Sequence, residues 1–323
     1  MPRRRQNIVS FGTALDQDET PKKTVWSLAE AKTLFLEDIR NLAMHTQRWH
    51  RENLNALEKV LEKQGIVVQD MRELTMPLLK NNFVFYMRDT MHLKTNTING
   101  RVRTVRALLH FVYEQGYVAR DPGADVPLLR PERVMIQTFS EEQITHLLRQ
   151  PDRHTFTGLR DYTMMLLLLE TGIRLSECEG ITLSDVNLQE GTILVHGKGS
   201  KDRTVPFQSK MKKVLQTYIE ARGAAQTDRL FVTLERKTMS RRYIQELISQ
   251  YGEAAQIRGV RVSPHTFRHT MAKFYVLAGG DIFSLQRILG HSSLETVRIY
   301  VEMFSHEVQH QHQKFSFVEH RFR

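Results

Sequence analysis

Cysteine is almost absent: Cys178 is the only one in 323 residues, so no intrachain disulfide can form and nothing points to an oxidising compartment. Long apolar runs are missing as well. The longest, Met164 to Leu169, is far short of the roughly 18 residues needed to cross a bilayer. The basic start, Pro2 to Gln6, is not followed by the apolar core of a signal peptide. These absences predict a protein of the cytoplasm that does not span a membrane. Acidic residues are in deficit, 36 Asp and Glu against 46 Lys and Arg, for a formal charge of +10. That surplus favours a polyanionic partner, nucleic acid first and an anionic membrane surface second.

The length suits two domains, each with its own core. Residues 1–24 mix charge with Pro2, Gly12 and Pro21 without an apolar period and read as a flexible lead-in. From about residue 25 to 120 the pattern is helical. Ser27 and Glu30 have capping-box spacing, a second helix starts near Thr46 and stops at Gly65, and a third follows Pro77. The clearest stripe is Ile98, Val102, Val105, Leu109 and Val112. Beside it Asn99, Arg103, Arg106 and His110 share a polar face that could read DNA phosphates or simply be solvated, and Arg48 and Arg51 on the second helix add to the first reading.

Residues 121–137, with Pro122, Gly123, Pro127 and Pro131, read as an interdomain linker. The second domain spans 138–323, with a tail from about 303. Ser140 opens a helix, Leu159 to Glu170 is a core helix, and Ile181–Leu188, Gly191–Val195 and Asp202–Phe207 predict a small antiparallel sheet. Everything after Met211 reads as helix. The fold class expected is mainly α with a small antiparallel β-sheet.

Four patches carry chemistry. Gly172 breaks a helix and sets Arg174 at the start of the next, with Glu177 three residues on, better placed to orient Arg174 than to act as a base. Lys198, Lys201 and Arg203 lie on or beside a glycine-flanked hairpin tip, where the order required of a P-loop is absent. His265 and Arg268 share a helix face behind Pro264. His265 and His269 have zinc-like i,i+4 spacing, but the glutamate of a His-Glu-x-x-His site is missing, so no metal is expected. Gly290 ends a helix before His291, and Tyr300 follows nine residues later.

As an ordered set, Arg174, Lys198, His265-x-x-Arg268, Leu289-Gly290-His291 and Tyr300 resemble the tyrosine recombinase (phage integrase) family, in particular its two-domain Xer-like and transposon-resolvase-like members. Thr97 to Arg103 also resembles the family's helical core-binding domain. Departures are small: Phe267 stands where an aliphatic is commoner and Cys178 where a larger apolar residue is usual. The resemblance implies an all-helical, SAM-like core-binding domain followed by a mixed α+β catalytic domain. It implies a site-specific integrase or resolvase that cuts DNA through a 3′-phosphotyrosine with Tyr300 as nucleophile and needs no cofactor. Arg174 and Arg268 would clamp the phosphate and Lys198 would protonate the leaving oxygen. His265 would handle protons near Tyr300, His291 would support the phosphate, and Glu177 would be structural. Double-stranded DNA with specific core sites and a homotetramer on paired sites are the implied partners, and Phe315, Phe317, Val318 and Phe322 in the tail are expected to dock on a neighbouring protomer. A type IB topoisomerase-like relaxing enzyme and a DNA-binding regulator without catalysis are the competing readings.

Overall fold

The structure, a computed structural model, describes residues 26–131, 136–197, 202–290, 294 and 297–300. The chain divides into two compact units, Met1–Arg133 and Val134–Arg323. No helix among the described residues is long and apolar enough to cross a membrane.

The first unit is helical. Helix α1 (Leu28–Asp38) starts at the expected capping box: the Ser27 hydroxyl accepts from the Glu30 amide, and the Glu30 carboxylate accepts from the Ser27 amide. Helix α2 (Met44–Glu62) begins two residues ahead of Thr46, and the chain turns at Gly65 with φ of +68°. Helix α3 (Met76–Leu78) has Pro77 in its first turn and continues as a π-helical stretch, Leu79–Thr90. The wider turn buries Leu79, Phe83, Val84 and Met87, and its Asn82 donates through its side chain to the Gln64 side chain beyond α2 while the Asn82 carbonyl accepts from it. Helix α4 (Thr95–Glu114) lays its whole predicted stripe, Ile98 to Val112, in the core of this unit.

The polar side of α4 corrects one sequence expectation. Asn99 is only 2% exposed, and its amide both donates to the Leu129 carbonyl at 2.7 Å and accepts from the Leu129 amide at 2.8 Å. Arg106 donates to the carbonyls of Gly123 and Ala124, and His110 is 3.1 Å from Asp121. Residues 121–131, within the stretch 121–137 expected to be an interdomain linker, are thus clasped onto α4, and Val126 is buried with the core. A polar residue facing another segment satisfies its backbone groups, and that duty engages Asn99 fully while Arg106 stays half-exposed.

In the second unit, α5 (Glu141–Arg149) starts from a Ser140–Gln143 capping box, and α6 (Phe156–Thr171) is buried along most of its length, as the apolar run predicts. Helix α7 (Leu175–Gly180) leads to an antiparallel sheet of β1 (Val186–Asn187), β2 (Thr192–Val195) and β3 (Arg203–Pro206), in that order. Ile193 pairs with Val205 and Val195 with Arg203. The first strand is shorter than expected, because Leu183–Asp185 forms a 3₁₀ turn fixed by the Asp185 carboxylate accepting from Thr182. Helices α8 (Ser209–Arg222), α9 (Arg241–Ala254), α10 (Pro264–Leu277) and α11 (Ile282–Leu289) complete the unit. Residues 223–240, expected to be helical, form a connection that pairs with the segment ahead of the sheet through the bridge Thr182–Arg229 and folds on itself through the bridge Val232–Thr238. The buried guanidinium of Arg222 holds that connection by donating to the carbonyls of Thr227 and Arg229.

Candidate active site

Three guanidiniums converge on the carboxyl end of α11. A helix leaves its last carbonyls without intrahelical donors and carries partial negative charge there, so cations are drawn to it. Arg203 donates to Ile288 O at 2.8 Å, Arg268 to Leu289 O at 2.8 Å, and Arg174 to Leu289 O and Gly290 O at 3.4 and 3.3 Å. Arg268 also donates to Gly172 O at 2.6 Å. The turn at Gly172 is specified twice over. Its φ is +60°, and a Cβ there would stand 2.8 Å from Leu289 Cδ2.

One carboxylate orders this cluster. Glu177 is buried, accepts from the Arg174 amide at 2.7 Å and its guanidinium at 2.9 Å, and takes both ends of the Arg203 fork at 2.9 Å. Burial alone would push the Glu177 carboxyl up, but the hydrogen bonds from Arg203 and Arg174 outweigh it and hold it below the ordinary glutamate range. The orienting role read for Glu177 has this geometry behind it. Arg203, read from sequence as a DNA contact, faces inward instead and locks Glu177. Its register gave a signal, since Arg203 and Val205 lie on the same face of β3. Burial and then the nearby Arg174 push the Arg268 guanidinium down to about 10. Three arginines against one glutamate leave a cationic cluster suited to an anion.

A cavity of about 270 Å³ opens on this cluster, lined by Arg174, His265, Arg268, His269 and Tyr300 with apolar walls that include Ile173 and Leu175. Tyr300 lies in a helical turn, 297–300, and is 3% exposed. Burial pushes its phenol up, and Arg268 partly offsets this. Its hydroxyl lies 2.6 Å from Nδ1 of His269. The ring beside the hydroxyl is therefore not His265, which is exposed one turn earlier on α10, but the histidine that sequence reading weighed only as a zinc ligand. The i,i+4 spacing placed His269 on the correct face; what was missed was its target. Cys178 is fully enclosed and its thiol is pushed up to about 12 by burial, while Phe267 packs edge-on against Phe139. Neither departure disturbs the polar cluster.

His196, at the end of β2, is held by two carboxylates, Asp202 at 2.9 Å from Nδ1 and Asp185 at 3.1 Å from Nε2. Hydrogen bonding to Asp202 and then Asp185 raises its pKa. Lys198, Lys201, His291 and the tail residues lie outside the described residues. In the first unit, Arg48 pairs with Glu52 at 2.7 Å, whereas Arg51 and Arg103 are exposed with no ion pair among the described residues.

Residues 137–307 match the phage integrase family. A relative, the tyrosine recombinase XerD of Staphylococcus epidermidis, is 32% identical over 219 residues, covering 66% of this chain and 74% of its own. Among solved structures, the integrase of transposon Tn1549 in complex with transposon right end DNA superposes with a TM-score of 0.73 at 18% identity, over 90% of this chain and 99% of its own. A lambda integrase tetramer bound to a Holliday junction gives 0.70 at 14% identity, over 85% and 77%. The two structures share the fold, mainly helical with a small antiparallel sheet. The chain belongs to the phage integrase family: it is a tyrosine recombinase, a site-specific enzyme that breaks and rejoins DNA.

Proposed function

We propose that Tyr300 is the nucleophile of this recombinase and that Arg174 and Arg268 are its phosphate clamp. The observation that carries the reading is one cavity lined by both guanidiniums and the Tyr300 ring. A phosphodiester repels nucleophiles through its own charge, and the attack adds charge to the equatorial oxygens. Fixed guanidiniums are the groups that stabilise it, because their planar forks do not have to reorganise. Here both forks are held by backbone carbonyls before any DNA arrives. Attack by Tyr300 forms a 3′-phosphotyrosine and releases a 5′-hydroxyl. The bond energy is retained in the ester, so a second strand's 5′-hydroxyl can reverse the step without ATP or metal.

Lys198 is assigned the proton for the leaving 5′-oxygen, His291 a hydrogen bond to the phosphate, and His265 a place at the cavity rim facing the DNA. The roles of Lys198 and His291 rest on the motif order, and that of His265 on its exposed place in the cavity lining. Arg51 and Arg103 are the exposed cations of the first unit proposed to meet phosphates, with Arg48 able to join by exchanging Glu52 for DNA. Recombination needs two duplexes, and the proposal is a homotetramer on paired core sites, with each tail docked on a neighbour, in the cytoplasm. Support comes from the phenylalanines of the tail and from the tetrameric state of the lambda integrase complex.

The test starts from duplexes that the full chain retains out of a randomised pool. Nicked at successive positions, a bound duplex releases the cut fragment and traps the protein on DNA. The parent should give a denaturation-resistant complex, and Tyr300→Phe should bind equally and give none. A Phe variant that still becomes attached would reassign the nucleophile.

A further inference from the structure

We infer that His269 is the general base that takes the phenolic proton from Tyr300. The inference rests on Tyr300 being the nucleophile and adds a residue that the motif set does not contain.

A phenol inside protein is a weak nucleophile until its proton has somewhere to go. Tyr300 is 3% exposed, so bulk water is not the acceptor. Three groups of the cavity could be considered. The arginines are cations with no acceptor lone pair. His265 is exposed and makes no hydrogen bond to Tyr300 among the described residues. His269 stands 2.6 Å from the hydroxyl through Nδ1, within the reach a general base needs. Its place is fixed by α10, which also carries Arg268, so base and phosphate clamp move as one element.

The neutral ring offers Nδ1 as an acceptor when its own proton is on Nε2. Burial first, then His265 and Arg268, lower its pKa, which keeps that lone pair free near neutral pH. The O–H bond of Tyr300 breaks and its proton joins Nδ1. The phenolate oxygen bonds to phosphorus as the bond to the 5′-oxygen breaks, and that oxygen takes a proton from the general acid. The imidazolium formed lies beside the phosphate whose charge stabilises it. In rejoining, the incoming 5′-hydroxyl returns its proton to the general acid, and the departing phenolate recovers its own from His269.

The test compares full chains carrying His269→Asn or His269→Ala, with the nicked duplex that the parent chain cleaves as the probe. Asparagine puts an amide oxygen or nitrogen near the place of Nδ1, so it can keep a hydrogen bond but cannot take the proton. Both variants should bind the duplex as the parent does, and single-turnover formation of the covalent complex should slow by about a hundredfold or more. Replacing Tyr300 by a ring-fluorinated tyrosine, whose phenol ionises more readily, should then restore about tenfold or more of the lost rate in the variants and change the parent far less. That rescue is something a purely structural histidine would not give.

If the Asn variant cleaves at the parent rate, the contact only positions Tyr300 and the inference falls. It falls too if either variant cleaves faster, which would make the contact a latch, or if the fluorinated phenol restores nothing. Should both variants fail to fold, the fluorinated parent decides: a large acceleration there means that no base was assisting the phenol. Tyr300→Phe keeps the two claims apart, since persistent attachment by that variant removes the nucleophile assignment itself.

Discussion

Glu177 meets Arg203 with both carboxylate oxygens, at 2.9 Å each, while the same carboxylate holds the amide and guanidinium of Arg174. Arg174 is thus tied to a second arginine through Glu177. Arg203→Ala leaves Glu177 buried with one cation gone, and a broken buried pair costs about 3 kcal/mol. The thermal midpoint of the catalytic unit should fall accordingly, and cleavage should fall further than DNA binding. Unchanged stability would mean that the pair contributes nothing.

The same carboxylate sets an acid limit. Its folded pKa is depressed, so the stability it supplies is present above its unfolded value and is lost as pH falls through the folded value. Glu177→Gln should lower stability at neutral pH and flatten the decline on the acid side. Denaturant titrations across that range check it, and a parallel decline in parent and variant would contradict it.

Arg174→Lys should bind DNA and cleave at least about a hundredfold more slowly, because one ammonium cannot reach Glu177, Leu289 O and Gly290 O and still face a phosphate. Single-turnover cleavage reads it directly. A lysine variant within a few-fold of the parent would dismantle the two-arginine clamp.

On α4, adjacent polar positions should behave differently. Arg103→Ala should reduce the log–log salt slope of binding by about 0.9, the share of one phosphate contact. Asn99→Ala should leave that slope alone and destabilise the first unit by about 1–3 kcal/mol, since the backbone of Leu129 loses both its partners. Interchanged results would restore Asn99 to the DNA face.

This last pair marks where sequence reading stops. The apolar stripe of α4 and the capping boxes at Ser27 and Ser140 were legible because period and local hydrogen bonding determine them. Arg174, His265, Arg268 and Tyr300 were picked out as a set by their order in the chain, and the structure brings the four to one cavity. A polar stripe, however, tells which residues share a face and not what covers it, so the clasp of residues 121–131 over Asn99 and Arg106 could not be read. Leu79, Phe83, Val84 and Met87 fit an α-period as well as the π-helix they adopt. The contacts of His269 and Arg203 could not be read because their partners, Tyr300 and Glu177, are distant in sequence and meet them only in the fold.

His196 gives a prediction of opposite pH sign. Its pKa is raised by Asp202 and Asp185, so the clamp is fully present below the unfolded value of about 6.5 and is lost as pH rises through the folded value. Limited proteolysis between β2 and β3, the connection containing Lys198, should quicken as pH rises through that window. His196→Gln should remove most of the pH dependence. Equal cutting of the parent at both ends of the window would show that the clamp does not restrain the hairpin.

The central claim is the identity of the nucleophile, and the most direct measurement is to digest the trapped protein–DNA complex and locate the residue that carries the nucleotide by mass spectrometry. The account predicts a phosphodiester between the Tyr300 hydroxyl and a 3′ end of the cut strand, leaving a free 5′-hydroxyl. Attachment to any other residue, or to a 5′ end, would contradict it.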